Sequence, residues 1–366
     1  MIPFLDLGAA TAELQSEIEA AVLGVVRSGR YILGPEVEAF EGEYARYVGA
    51  AHAVGVGNGL DALVLGLQAL GVGPGDEVIV PSNTYIATWL AITAVGAVVV
   101  PVEPDPDSWL IDVSQVERAI TSRTRVLLPV HLYGHPCDME SIGQLAARHG
   151  LRVLDDAAQA HGATVGSRRV GAVADVTAWS FYPSKNLGAL GDAGTVTTND
   201  PALAERIRLL RNYGSRVKYE NEVRGTNSRL DPIQAAVLRV KLAHLDEWNS
   251  RRAAQARRYT EGLAGISGLV LPVEPTWGAS AWHVYAVRVS DRDRVQRALR
   301  DAGVETLVHY PIAAHLQPAY RDHGWKPGAF PVSEAIHREV LSLPLGPQLP
   351  LASVDVVIER LRKVLG

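Results

Sequence analysis

An α/β chain, with a large, mostly parallel seven-stranded sheet between helices and a smaller C-terminal α+β unit, is the fold class this sequence predicts. Three observations carry that reading. From about residue 50 to about residue 200, short runs of β-branched residues alternate with longer Ala/Leu-rich runs, the pattern of a sheet covered by helices on both faces. The chain has 366 residues, a length that suggests about two domains. The polar residues with chemistry to offer follow the strand-like runs, and ligands on such sheets sit beyond the carboxyl ends of the strands.

The candidate strands are Ala53 to Gly57, Glu77 to Val80, Val98 to Val102, Val126 to Val130, Arg152 to Asp155, Val176 to Phe181 and Thr195 to Thr198. Helical spacing lies between most of them. Asp231-Pro232-Ile233-Gln234 then opens a long helix predicted to run to about Leu263, with Asp231 as N-cap, Pro232 at the first position and Gln234 close to completing a capping box. Ile233, Val237 and Val240 recur at helical spacing, so this element reads as core and as a connector. Beyond about residue 264 the smaller unit is expected to hold a strand from Trp282 to Val289, a helix from Arg292 to Ala302 and a final helix from Val354 to Leu365. The division is placed between a large domain, 1–248, and a small one, 249–366.

Composition excludes several classes of function. A net charge of −5 and the lack of a long Lys/Arg run argue against a nucleic-acid surface. No stretch approaches the roughly eighteen apolar residues a membrane span needs, and no basic leader precedes an apolar run near the start. Cys137 is the only cysteine, which rules out an internal disulfide and a cysteine-rich metal site. A cytoplasmic protein without a metal is the expectation.

The chemistry centres on Lys185, in Ser180-Phe181-Tyr182-Pro183-Ser184-Lys185-Asn186-Leu187-Gly188, and on Asp156, which closes the run Leu151 to Asp156. Alone, such a lysine is a solvated charge and such an aspartate a helix cap or turn former. Together they supply what pyridoxal 5′-phosphate requires, an amine for its aldehyde and a carboxylate for its ring nitrogen. Lys185 would serve as Schiff-base partner at rest and, once displaced by an incoming amine, as general base for a 1,3-proton shift. Its pKa must then be low, which burial can supply.

Ala53 to Ala62 reads as strand, glycine turn and helix start, whose amides at Gly59 and Leu60 would hold a phosphate dianion; the plainer reading is a tight turn needing positive φ. A dinucleotide fingerprint beginning at Gly55 fails because Leu60 occupies its last glycine position, which sets a nicotinamide oxidoreductase aside. Ser180 could add a hydroxyl to the phosphate, and Gln159 could reach the ring hydroxyl. Tyr85 offers a face for stacking on the cofactor, or else packs in the core.

Asp155 to Gly162, Ser180 to Lys185, Gly191 to Gly194, Gly225 to Asp231 and Leu341 to Pro344 together resemble the sugar aminotransferases of the DegT/StrS family. That resemblance implies a PLP-dependent transferase of fold type I, the aspartate-aminotransferase fold. It also implies a homodimer with shared active sites, with Asn227 on the cofactor phosphate of the neighbouring subunit. Phe181 to Asp192, and Arg211 to Ser215 leading to Lys218-Tyr219, are most similar to the nucleotide-linked deoxysugar 3-aminotransferases of antibiotic pathways. The activity so implied moves an amino group from L-glutamate to C3 of a dTDP-3-keto-6-deoxyhexose. A 4-aminotransferase on a 4-keto sugar is the alternative, and a noncatalytic PLP-binding regulator the rival from another class. Relatives that dehydrate sugars carry His in place of the lysine, so Lys185 favours transamination.

For the sugar nucleotide the resemblance points to Tyr31, Tyr182, His309 and Tyr310, with Arg251 for the diphosphate. His309 would serve equally as a satisfied core histidine and Arg251 as a solvated helix charge. Arg216, Lys218 and Arg224 form a basic loop that could face dTDP. Two positions depart from the family pattern: Asp155 stands where many members have Glu, and Leu60 where many have Thr.

Overall fold

The seven predicted strands pair into one sheet in the computed structural model, which describes residues 1–366. They are β1 (His52–Val56), β2 (Glu77–Pro81), β3 (Val98–Val102), β4 (Thr124–Leu127), β5 (Arg152–Asp156), β6 (Val176–Ser180) and β7 (Gly194–Thr198), in spatial order β1-β7-β6-β5-β4-β2-β3. Every neighbouring pair is parallel except those that β7 makes with β1 and β6. A parallel return needs a long crossover, usually a helix. The segment holding Lys185 joins β6 to β7 without one, so β7 runs back antiparallel.

β1 and β6 end one residue earlier than predicted, and β4 ends three residues earlier. β4 stops at Leu127 because Pro129 has no amide to donate, and Val130 pairs only as an isolated bridge with Asp156. That bridge sets the exit of β4 beside the end of β5. At the sheet edge, Glu41 accepts from the Gly55 amide at 2.8 Å while Arg211 donates to both Glu41 and the Gly55 carbonyl, so a buried ion pair pins β1.

The single long helix expected after Asp231 is two helices, Pro232–Leu242 and Leu245–Leu263, meeting at Ala243 and His244. The capping box does not form: Asp231 makes no side-chain cap, and the Gln234 side chain instead accepts from the Leu190 amide at 2.8 Å. The two halves serve different cores. Pro232–Leu242 packs on the helices Gln15–Ser28 and Pro35–Val48, whereas Leu245–Leu263 packs on the C-terminal helix Leu351–Leu365.

The smaller unit is built on a three-stranded antiparallel sheet of Leu269–Val270, Tyr285–Val289 and Val340–Leu343. Its middle strand begins at Tyr285 rather than Trp282, because Trp282 has a φ of 47° and breaks the extended run. Apolar burial falls into one cluster of 66 residues around the large sheet and one of 17 in the smaller unit, so the large sheet is the rigid frame for whatever lies at its strand ends. No helix is long and apolar enough to cross a membrane, and no group of three or more His, Cys, Asp or Glu is placed to hold a metal.

Candidate active site

The exits of β1, β5 and β6 place the predicted residues around one spot. After β1, Asn58 caps the helix Gly59–Ala69 by accepting from the Asp61 amide at 2.9 Å. The Ser228 hydroxyl accepts from the Gly57 amide and donates to Asp61, at 2.9 and 2.6 Å, which locks the turn. The first-turn amides of such a helix have no intrahelical acceptor and attract an anion.

Why glycine stands here differs from the plainer expectation. Neither Gly55, Gly57 nor Gly59 has positive φ. A Cβ on Gly59 would lie 2.5 Å from the Ser180 Cβ, and one on Gly55 would lie 2.8 Å from the Leu230 Cβ. Gly59 lets the new helix approach the end of β6 and Gly55 makes room for Leu230, so the Gly59 and Leu60 amides and the Ser180 side chain crowd one small volume.

At the end of β5, the two oxygens of Asp156 have separate donors: the Ala158 amide to Oδ1 at 3.1 Å and the Thr88 hydroxyl to Oδ2 at 2.9 Å. Burial raises the Asp156 pKa, while those two hydrogen bonds and the nearby Lys185 and His131 oppose the rise. A cation laid against this carboxylate would relieve the cost of burying it. Asp155, on the opposite face of the strand, bonds His131 at 3.0 Å. The Cys137 amide donates to the other nitrogen of that ring, so the Nε2 proton faces Asp155 and this pair is a structural brace.

Lys185 sits in a turn closed by its own amide donating to the Tyr182 carbonyl at 2.8 Å. Burial lowers its amine from 10.5 to about 8, against the pull of Asp156. The histidines around it add no positive charge: burial holds His161 at about 3 and His309 at about 4, and puts His283 well below the usual value. Asn186 fixes the loop by bonding Asn249, the Ala281 carbonyl and His283.

Gln159 follows β5 in a turn, as expected, but its amide already has partners. It accepts from the Tyr133 amide at 2.6 Å and donates to the Tyr310 hydroxyl at 3.0 Å, leaving one N–H for a ligand. Tyr310 belongs to the smaller unit's side of the cleft, and its ring lies 4.9 Å from that of Tyr85. Tyr85 is half exposed and so is not a core residue. His309 is held by Ser342 through Nδ1 at 2.8 Å, and its carbonyl accepts from Tyr133.

The structure therefore brings together Gly59, Leu60, Tyr85, Asp156, Gln159, Ser180, Lys185, His309 and Tyr310. It does not gather the rest within one chain. Tyr31 is exposed and donates to the Val26 carbonyl, Tyr182 is exposed beside the lysine turn, and Asn227 is exposed next to Asn212. Arg251 pairs its guanidinium with Glu13 and Glu247, as a solvated helix charge would. Sequence reasoning missed Thr84, Thr88 and Ser228. The four-residue spacing of Thr84 and Thr88 at a helix start was the available signal.

These residues fit pyridoxal 5′-phosphate at each end: amides and a hydroxyl where a phosphate would lie, an aspartate for a ring nitrogen, and an amine of lowered pKa for an aldehyde. A sheet of this topology with that set at its strand ends defines a pyridoxal 5′-phosphate enzyme of the aspartate-aminotransferase fold. The chain belongs to the DegT/DnrJ/EryC1/StrS aminotransferase family, whose model matches residues 12–362. It is 58% identical, over 99% of both chains, to the erythromycin biosynthesis sensory transduction protein EryC1 of Saccharopolyspora erythraea. To the dTDP-3-amino-3,4,6-trideoxy-alpha-D-glucose transaminase of Streptomyces venezuelae it is 56% identical, over 99% of this chain and 96% of that one. The crystal structure of S. venezuelae DesV in complex with a ketimine intermediate superposes with a TM-score of 0.98 at 56% identity, covering 99% of this chain and 98% of that one.

Proposed function

We propose that this chain transfers an amino group from L-glutamate to C3 of a dTDP-linked 3-keto-6-deoxyhexose, in the biosynthesis of a deoxyaminosugar. The observation that carries the reading is whole-chain similarity to a dTDP-3-amino-sugar transaminase in a chain whose Lys185 and Asp156 stand intact at the strand ends. The bound cofactor would supply an electron sink for the substrate carbon. Gly59, Leu60 and Ser180 would bind its phosphate, Asp156 and Gln159 its ring, and Tyr85 one face. The neutral fraction of the Lys185 amine, near pH 7, would take a proton from one substrate position and return it at another. Tyr31, Tyr182, His309 and Tyr310 are proposed for the sugar nucleotide.

A homodimer with shared sites is part of this reading. Leu7, Leu23 and Val26 on the N-terminal helices and Leu190 in the β6–β7 segment are exposed apolar side chains, and Asn227 is exposed with its backbone bridged to Asn212. The division into 1–248 and 249–366 is supported by the smaller core, whose members all lie from Ala256 onward, and by Trp248 packing on Leu14 and Ile18. A cytoplasmic location accords with the reading.

Assaying the purified protein with glutamate and either a 3-keto or a 4-keto dTDP-sugar tests the proposal. Rapid consumption of glutamate with the 3-keto sugar alone is expected; turnover of the 4-keto sugar alone would replace it with the 4-aminotransferase reading. One observation favours a second reading, a cofactor-binding regulator: the S. erythraea relative is called a sensory transduction protein. That reading requires bound cofactor without turnover on either sugar.

A further inference from the structure

Thr84 and Thr88 stand one helical turn apart at the start of the helix Ile86–Ala94, both buried, with their hydroxyl oxygens 2.9 Å apart. Thr88 continues to Asp156 Oδ2 at 2.9 Å, and no ordered partner other than Thr88 meets the Thr84 hydroxyl within the chain. Counting protons decides the direction of this short chain. With Asp156 ionised, Thr84 donates to Thr88 and Thr88 donates to the carboxylate, so every hydroxyl proton has an acceptor. With Asp156 protonated at Oδ2 the order reverses, and the Thr84 proton is left buried with none. An unsatisfied buried donor costs free energy, so the pair of hydroxyls selects the carboxylate.

We propose that Thr88, oriented by Thr84, is a positioning residue that holds Asp156 ionised and aimed so that it keeps the cofactor's ring nitrogen protonated. This rests on the pyridoxal 5′-phosphate reading of the same site. The groups facing Asp156 from other elements are Lys185 in the β6–β7 segment, His131 after β4 and Tyr310 across the cleft. His131 is committed to Asp155, and Tyr310 receives the Gln159 amide. Only Thr88 and the Ala158 amide donate to the carboxylate itself.

The test compares Thr88→Val, Thr88→Ser and Thr84→Val with the unaltered protein. Each is measured for its dissociation constant for pyridoxamine 5′-phosphate, which binds without any bond to Lys185, and for kcat, KM and the thermal unfolding midpoint. Hydrogen bonds to charged groups support an expectation of about tenfold weaker pyridoxamine phosphate binding for Thr88→Val, with kcat down at least about tenfold and KM for the sugar unchanged. Thr88→Ser should return both to within about twofold, since it keeps the hydroxyl. Thr84→Val should show a smaller loss in the same two quantities. Unaltered affinity and kcat in Thr88→Val would overturn the proposal. Should that variant fail to fold, unaltered values in Thr84→Val would overturn it instead. Unaltered protein that never takes up pyridoxamine phosphate would sink the cofactor reading rather than this one.

Discussion

The cofactor end of the cleft and its sugar end are built differently. At the cofactor end, backbone and side chains within one chain close on a single spot: Gly59 against Ser180, Thr88 and the Ala158 amide on Asp156, and Lys185 in a bonded turn. On the side proposed for the sugar nucleotide, Tyr31 and Tyr182 are more than half exposed. Tyr310 and His309 are tied to the cofactor side and the smaller unit, through Gln159, Tyr133 and Ser342. A rigid parallel sheet can finish a cofactor pocket from its own strand ends, whereas the half proposed for the nucleotide sugar stays open within one chain.

The comparison breaks most severely at Lys185. Lys185→Ala is expected to abolish the visible absorbance of bound cofactor and to reduce turnover by at least about a thousandfold, since both nucleophile and base are lost. Full-rate turnover by that variant would remove the lysine from the reaction. Asp156→Ala should follow, with kcat lower by roughly a hundredfold or more and weaker cofactor retention, read by dialysis and steady-state kinetics. Equal activity would show that the carboxylate is only structural.

The open half is sharpened by mixing subunits. Asn227→Ala and Lys185→Ala chains, each impaired alone, should recover activity when co-refolded, because one site of each mixed dimer then draws both residues from unaltered positions. Recovery of up to about a quarter of the native rate is expected for random pairing. No recovery, with mixed dimers present, would place Asn227 in its own chain's site.

Smaller effects follow. The Lys185 amine is held at about 8, so transfer onto the keto sugar should quicken as pH rises and level off above about 8, where the neutral amine dominates. A flat profile across that range would argue against the amine as base. Arg251→Ala should change KM for the sugar nucleotide by less than about twofold, because an exposed pair with Glu13 and Glu247 is all it loses.

Much of the sheet was legible because each strand is a β-branched run and most connections are helix-period runs. The chemistry at Lys185, Asp156 and Gln159 was legible for a related reason, since residues that end strands have few places to go. Features set by distant contacts were not. The break at Ala243–His244 depends on two separate cores drawing the helix halves apart, and propensity alone continues the helix. Gln234 reads as a capping residue until the Leu190 amide is seen to need its side chain. The glycines at 55 and 59 looked like turn formers, although their role is to clear Leu230 and Ser180. Arg251 looked available, and Glu13, far away in sequence, takes it.

The central claim is that the ε-amine of residue 185 is the one that meets the cofactor. Borohydride reduction of the purified protein in the presence of pyridoxal 5′-phosphate, followed by peptide mass spectrometry, tests it directly. One pyridoxyl group per chain on the peptide containing Lys185 is the expected result; a label on Lys241 or elsewhere, or none, would contradict it.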